Sequence, residues 1–334
     1  MKDQIGRGNA GTLFPGAPYH AGMMTKLLLA GVALAAATSA FAQNSEHSWS
    51  KTYPVGGKPT LIFETGDAGV EIRSCAGCRD IRIHVELEGK KLSDYRLEES
   101  QSGNQVQFKF RQREHMDFSF TMHRPRVRVE VETPAQLTLQ ARTSDGSVAL
   151  SDLEGEVGLT TGDGDVMLDH VSGNLRLKSG DGHVRITDAK GALEATTSDA
   201  SLSVDGTFHA LTLRTSDGTL DLNLHKGTQL TQASSIQSSD GSVTVHIPQG
   251  FAADLDVHTS DGHVDCALPL TMDHYHSNDG EKHELHGRLN GGGTPLTIHT
   301  SEPNSYWQYQ KAQFSLVTLK SPVLTSNIKK PNSH

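Results

Sequence analysis

The sequence predicts an all-β protein, a right-handed parallel β-solenoid or β-helix of about 18-residue coils with an N-terminal β-rich cap. Three observations carry this expectation. Between Thr143 and about Leu230, glycine recurs every nine residues, at 146, 155, 164, 173, 182, 191, 218 and 227, interrupted by Ala200 and His209. Two and four residues after each frame position stands an apolar side chain, as in Val148 and Leu150, Val166 and Leu168, or Val184 and Ile186. Every second frame adds a Ser/Gly-Asp pair, which sets Asp145, Asp163, Asp181, Asp199 and Asp217 eighteen residues apart.

Asp-Gly between alternating segments is also a hairpin signal, so an antiparallel meander competes with the solenoid. A meander needs only matched patterns between neighbours, whereas a solenoid stacks identical frame positions and makes side chains recur at fixed offsets, as here. Each half-coil then turns its apolar-x-apolar pair inward, where a buried Val or Leu contributes roughly 1.5–3 kcal/mol. Ordering each residue costs roughly 1–2 kcal/mol, so one coil alone would not fold. Stacking makes the sum favourable. The frame glycine is expected to take a turn conformation that a Cβ penalises, and the preceding Asp to hydrogen-bond the turn's own amides. The right-handed winding is that of nearly all parallel crossovers.

Taken in order, the chain begins with residues 1–22, which read as an upstream extension outside the working protein. Leu27 to Ala37 is strongly apolar, too short to span a bilayer, and follows Lys26; Ala40-Phe41-Ala42 supplies a small-x-small cleavage pattern. Residues 23–42 are therefore expected to be a signal peptide, starting at Met23 or Met24. Residues 43–135 form the cap, with alternating strands near Thr60–Phe63, Val70–Arg73, Ile81–Leu87, Val106–Phe110 and Arg126–Glu132. Lys90 to Gln105 reads as a connection, and Arg111 to Pro125 as an edge strand or flap. The repeats occupy 136–301. After Leu222 the period loosens, which places longer loops at 228–235 and 248–252, and the frame lapses between Pro269 and Gly293. Residues 302–334 are an atypical polar tail that fits no coil.

Composition agrees with a β-rich soluble protein: 33 glycines, 5% aromatic residues, 21% charged residues and a net charge of −9. The acidic balance argues against a nucleic-acid partner. Cys75 and Cys78 lie between alternating strands rather than before a helix, so this C-x-x-C reads as a small-loop disulfide and not a redox site. Cys266 falls at an inward frame position and reads as core.

The Asp ladder, Asp145, Asp163, Asp181, Asp199, Asp217, Asp240 and Asp261, is the most conspicuous candidate for chemistry. Carboxylates on adjacent coils can do acid–base work or hold Ca²⁺. An active site, however, breaks a repeat in a few coils, whereas this Asp recurs in each with the same neighbours, as a structural turn requires. A calcium-binding roll needs Asp two residues after its last glycine, where this chain has Val or Leu. His274, His276, His283 and His286 are weak candidate metal ligands; their spacing matches no metal motif, and a solvated loop is the expected setting. No catalytic residue, cofactor site, nucleophile elbow or phosphate-cradling loop is read from the sequence.

The leader, the N-terminal strands, the recurring T-S-D-G-x-V-x-L coils and the late segment Gly287 to Ser301 resemble the bacterial adhesin-like β-solenoid family of GIN-head type. The likeness covers roughly residues 50–301. It implies a right-handed β-helix and an adhesin-like role, and it brings no catalytic residues. The expected function is that of an exported, non-catalytic protein, periplasmic, cell-surface or extracellular, acting in adhesion, envelope structure or ligand binding. A surface glycan or an envelope protein is the expected partner. The alternative is a polysaccharide lyase or hydrolase of β-helix type.

Overall fold

The computed structural model describes residues 43–113, 126–260, 262–266, 268, 270–278, 281–300 and 312–318. The upstream extension, the signal peptide, most of the flap segment, Asp261 and most of the tail lie outside the described residues.

Strand follows strand, and the pairing is mostly parallel. Val148, Val166, Val184, Leu202 and Leu220 stand opposite one another in register, each eighteen residues on from the last. So do Leu159, Leu177, Ala195 and Leu213 in a second row. All nine are buried. The sequence period thus becomes a stack of coils, each giving one strand to either row, and parallel pairing excludes the meander. The architecture is all-β and solenoid-like, with one short 3₁₀ turn at Leu92–Asp94 among the described residues.

Two corners join the rows. At the first, after strands such as Glu154–Thr160, backbone amides donate to the carbonyls of the coil before: Gly162 to Ser144 (2.7 Å), Gly180 to Gly162 (2.8 Å) and Ser216 to Ser198 (3.1 Å). The parallel ladder therefore continues around the bend, and carbonyls, not Asp side chains, take these amides. Glycine is needed here for closeness. Gly164 has no left-handed φ, but a Cβ built on it would run into the carbonyl of Gly146. Just past the other corner, where the second row's strand begins, Gly173 has a φ of 115° and a Cβ there would also strike the preceding coil.

The stack reaches further toward the N-terminus than the glycine frame. Thr60–Thr65 and Gly69–Ser74 pair in parallel with the repeat strands Gln136–Arg142 and Val148–Ser151. Gln105–Gln112 and Arg126–Thr133 lie on their other side, again parallel. In space, then, the coil at 60–74 sits between the strands of 105–133 and those of 136–151. The far end shows the same exchange. Pro295–Thr300 lies between Ser234–Ser238 and Ala253–Thr259, and Ala312–Thr318, from the expected tail, lies between Val243–Ile247 and Gly262–Cys266.

Antiparallel strands end the rows. Ser48–Pro54 pairs with Asp80–Glu88, which pairs with Arg126–Thr133, and Tyr95–Ser102 covers Gln105–Gln112. At the other end Glu281–Leu289 runs antiparallel to Ala253–Thr259 and to Leu270–Asn278. The lapse in the frame is thus a hairpin rather than the expected solvated loop. Such strands turn the parallel edge into a different surface, which limits further growth of the stack. Aromatic side chains fill the N-terminal end, with Phe63 and Phe108 at 5.4 Å and Tyr95 and Phe110 at 4.6 Å between ring centroids. Cys75 and Cys78 form a disulfide in the turn after Gly69–Ser74, and Cys266 packs partly buried against the core.

Candidate functional site

Two places on the outside of the stack gather unlike side chains, and both lie away from the Asp ladder. The first is the second corner, where Asp152, His170 and Asp188 succeed one another with left-handed φ of 57°, 52° and 51°. Asp and His are among the side chains that tolerate this region best. The amides of Asp152 and His170 donate to the carbonyls of Asp169 and Thr187 in the next coil, at 3.1 Å each.

The register then slips. Ile186 pairs with Val204, eighteen residues on, but Ala189 pairs with Gly206, seventeen on, so Thr187 and Asp188 together face Asp205. The count is restored before Ala192 pairs with Ala210, and the residue added back falls at His209, where the glycine frame is interrupted. This slip carries Asp205 toward Asp188. His225, just after Leu220–Leu224, is held from the next coil by its amide on the Gly206 carbonyl (2.7 Å).

The result is a chain of alternating acids and imidazoles. His170 Nδ1 lies 3.1 Å from Asp169 Oδ1, and its Nε2 lies 3.6 Å from Asp188 Oδ2. His225 Nδ1 lies 3.9 Å from Asp188 Oδ1, and its Nε2 lies 2.8 Å from Asp205 Oδ1. Asn223 Nδ2 donates to Asp205 Oδ2 at 2.6 Å. The Asp169 end is more open than the Asp205 end, with side-chain exposures of 58% for His170 and 30% for Asp205. His170 is pushed above the usual imidazole range, first by its hydrogen bond to Asp169 and then by that carboxylate's charge. For Asp205, burial pushes the pKa up, but hydrogen bonds from Asn223 and His225 outweigh it and hold the carboxyl below its ordinary value.

The second place is an open groove of about 640 Å³ on the outer face of the first row. Glu71, Ala149, Met167 and Arg185 follow one another along it in register. Met167 is 54% exposed. Arg126 and Arg128 stand on one rim, and Asp165 and His183 on the lining, where Asp165 accepts the His183 amide at 2.9 Å.

The profile of the Toastrack DUF4097 family matches residues 60–303. The chain belongs to this family. No curated protein matches the sequence. This Toastrack chain is also similar to the solved structure of a "putative cell adhesion protein" from Clostridium sporogenes, at 10% identity and a TM-score of 0.25, over 80% of this chain and 98% of that one. A "putative adhesin" from Bacteroides fragilis is similar at 10% identity and a TM-score of 0.36, over 82% and 98%. Membership rests on the family match alone.

The residues singled out in the sequence lie elsewhere in the Toastrack stack. Asp145, Asp163, Asp181, Asp199 and Asp217 are exposed at successive first corners, and Asp240 is partly exposed. No cluster able to hold a metal includes them among the described residues. His286 pairs with Asp256 at 3.1 Å, and the backbone register sets His274 opposite His286 and His276 opposite Glu284. The side chains of His274, His276 and His283 lie outside the described residues. Sequence reasoning passed over Asp169, His170, Asp188, Asp205 and His225. Their signal was present: five to seven residues after every second frame position, from 146 to 218, stand Asp152, Asp169 and His170, Asp188, Asp205, and Asn223 and His225 in changing combination, while the apolar columns stay constant.

Proposed function

We propose that this Toastrack chain is an exported, non-catalytic, adhesin-like protein of the bacterial envelope, a right-handed β-solenoid of about 18-residue coils that binds a surface partner along its outer face. The observation that carries this reading is the groove over Glu71, Ala149, Met167 and Arg185. Its outward residues come from four neighbouring strands, so it extends along the stack for about 14 Å at roughly 4.8 Å per strand spacing. An acid flanked by two arginines on the neighbouring strand at one end, an apolar middle and a guanidinium at the other suit a linear partner bearing both charges. An extended segment of an envelope or cell-surface protein has that chemistry, and no aromatic platform for a sugar ring lines the groove among the described residues. The family match supports the solenoid, and no helix among the described residues is long and apolar enough to cross a membrane.

Binding of the full chain to bacterial surfaces and to a glycan array, with Met167→Glu and Arg185→Glu beside the parent, tests the proposal. Both substitutions lie on an outward strand face and are expected to leave folding intact while lowering surface binding at least about tenfold, a change of roughly 1.4 kcal/mol. Surface binding equal to the parent in both variants would rule the groove out. Array binding that both variants abolish would replace the protein partner with a glycan.

A further inference from the structure

We propose that Asp188, Asp205 and His225 form a binding site for a divalent transition-metal ion of the Zn²⁺ class. One ligand atom from each of these three side chains lies within 4.8 Å of the others. Bonds of about 2.1 Å in a tetrahedral site place neighbouring ligand atoms about 3.4 Å apart. His225 offers the ion one ring nitrogen: Nε2 lies 2.8 Å from Asp205 Oδ1, while it is the other nitrogen, Nδ1, that lies 3.9 Å from Asp188 Oδ1. Coordination therefore requires the Asp188 carboxylate and the imidazole to turn so that both carboxylates meet one nitrogen, a rearrangement within the 4.8 Å that already spans the three ligand atoms.

The groups around the ligands hold them in place. Asn223 fixes Asp205 from the neighbouring coil at 2.6 Å, and the amide of His225 is tied to the Gly206 carbonyl at 2.7 Å. Such outer partners normally orient metal ligands. Asp188 is placed by the register slip, which the regular stack neither needs nor repeats in the pairings on either side. Its two oxygens face opposite ways, Oδ1 toward His225 and Oδ2 toward His170, so the second oxygen is left to His170 while the first binds the ion.

The donor set selects the class of ion. One imidazole and two carboxylates favour Zn²⁺, Co²⁺ and similar ions over Ca²⁺ or Mg²⁺, which take oxygen ligands. Three protein ligands leave a tetrahedral ion one position for water or for an outside donor. An ion here would also replace the repulsion between Asp188 and Asp205 by shared attraction, tying adjacent coils together at the slip.

The test is a titration of the untagged, chelator-stripped full chain with Zn²⁺, followed by Co²⁺ absorption to report the ligand geometry. His286→Ala in the background separates this site from the histidine-bearing hairpin. One Zn²⁺ is expected to be lost in Asp188→Asn and weakened at least about tenfold in His225→Ala, while Asn223→Ala weakens it by about tenfold or more through Asp205. Asn tolerates the left-handed φ of residue 188, so Asp188→Asn should fold. His170→Ala and the first-corner variant Asp163→Asn are expected to leave the affinity within about threefold, well under 1.4 kcal/mol. Zn²⁺ binding unchanged in both Asp188→Asn and His225→Ala overturns the proposal, as does loss in His170→Ala with His225→Ala unaffected.

Discussion

The two corners of each coil face the same problem and solve it with different residues. At the first corner every coil brings nearly the same sequence. Buried hydroxyls from Thr65, Thr143, Thr161, Ser179, Thr197 and Thr215 line up inside it, and the aspartates line up outside. At the second corner the residues change from coil to coil, from Asp152 to His170 to Asp188. Stacking in register sets like beside like, so a constant column can use only groups that tolerate their own kind. Hydroxyls do, because each can donate or accept. Carboxylates do only where water screens them. An attraction between unlike charges must come from a column that varies, and that is where the imidazole–carboxylate chain lies.

The largest effects should come from the backbone spacing both corners share. Gly164→Ala places a Cβ against the Gly146 carbonyl, and backbone cannot yield as a side-chain tip can. Overpacking of this kind costs roughly 1–3 kcal/mol. Gly173→Ala meets the Gly155 carbonyl and must also hold a φ of 115°, so it should cost more, by about 1 kcal/mol or above. Denaturant unfolding of the two variants measures the difference. Equal losses would mean that closeness alone dictates glycine at both corners.

Hydroxyl substitutions sharpen the comparison at the first corner. Thr143 Oγ1 donates to the Gly66 carbonyl at 2.7 Å, whereas buried Thr197 Oγ1 has no hydrogen-bond partner among the described residues. Thr143→Val should therefore cost about 1 kcal/mol, and Thr197→Val should be neutral or stabilising. Thermal unfolding of the pair decides it. A loss at Thr197 as large as at Thr143 would show that the whole column acts as one hydrogen-bonded chain.

How much of this was legible depended on whether a feature repeats. The parallel rows could be read because Val148, Val166, Val184, Leu202 and Leu220 recur at a fixed interval, and a fixed interval becomes a register. The coil at 60–74 was obscured even though Thr65-Gly66-Asp67-Ala68 resembles the later corners, because the chain makes a long excursion before Gln136 resumes the stack. The exchanged order at both ends was not legible, since periodicity says which strands are alike and not which are neighbours. The acid–imidazole chain was missed for a related reason. Attention went to the conspicuous constant column of Asp, while Asp205 reaches Asp188 through a slip that only the pairing reveals.

The smallest effect should appear where the first corner's like charges come under strain. Asp240 is displaced above the ordinary carboxylate range, first by burial and then by the charge of Asp217. A raised folded-state pKa means that the folded chain holds this proton more tightly than the unfolded chain. Stability from this group therefore rises as the pH falls through the folded pKa, and at neutral pH the ionised carboxylate carries a constant small penalty. Asp240→Asn removes it, so the variant should be more stable than the parent at neutral pH by a few tenths of a kcal/mol, within the range of surface changes. The advantage should shrink as both are acidified through the window just above the usual carboxylate pKa. Asp217→Asn should give part of the same gain, since it removes the second cause and leaves the first. Paired unfolding curves across that window measure both. A variant Asp240→Asn that is less stable than the parent at neutral pH would mean that the carboxylate makes a favourable contact there, and that the constant column carries a useful interaction after all.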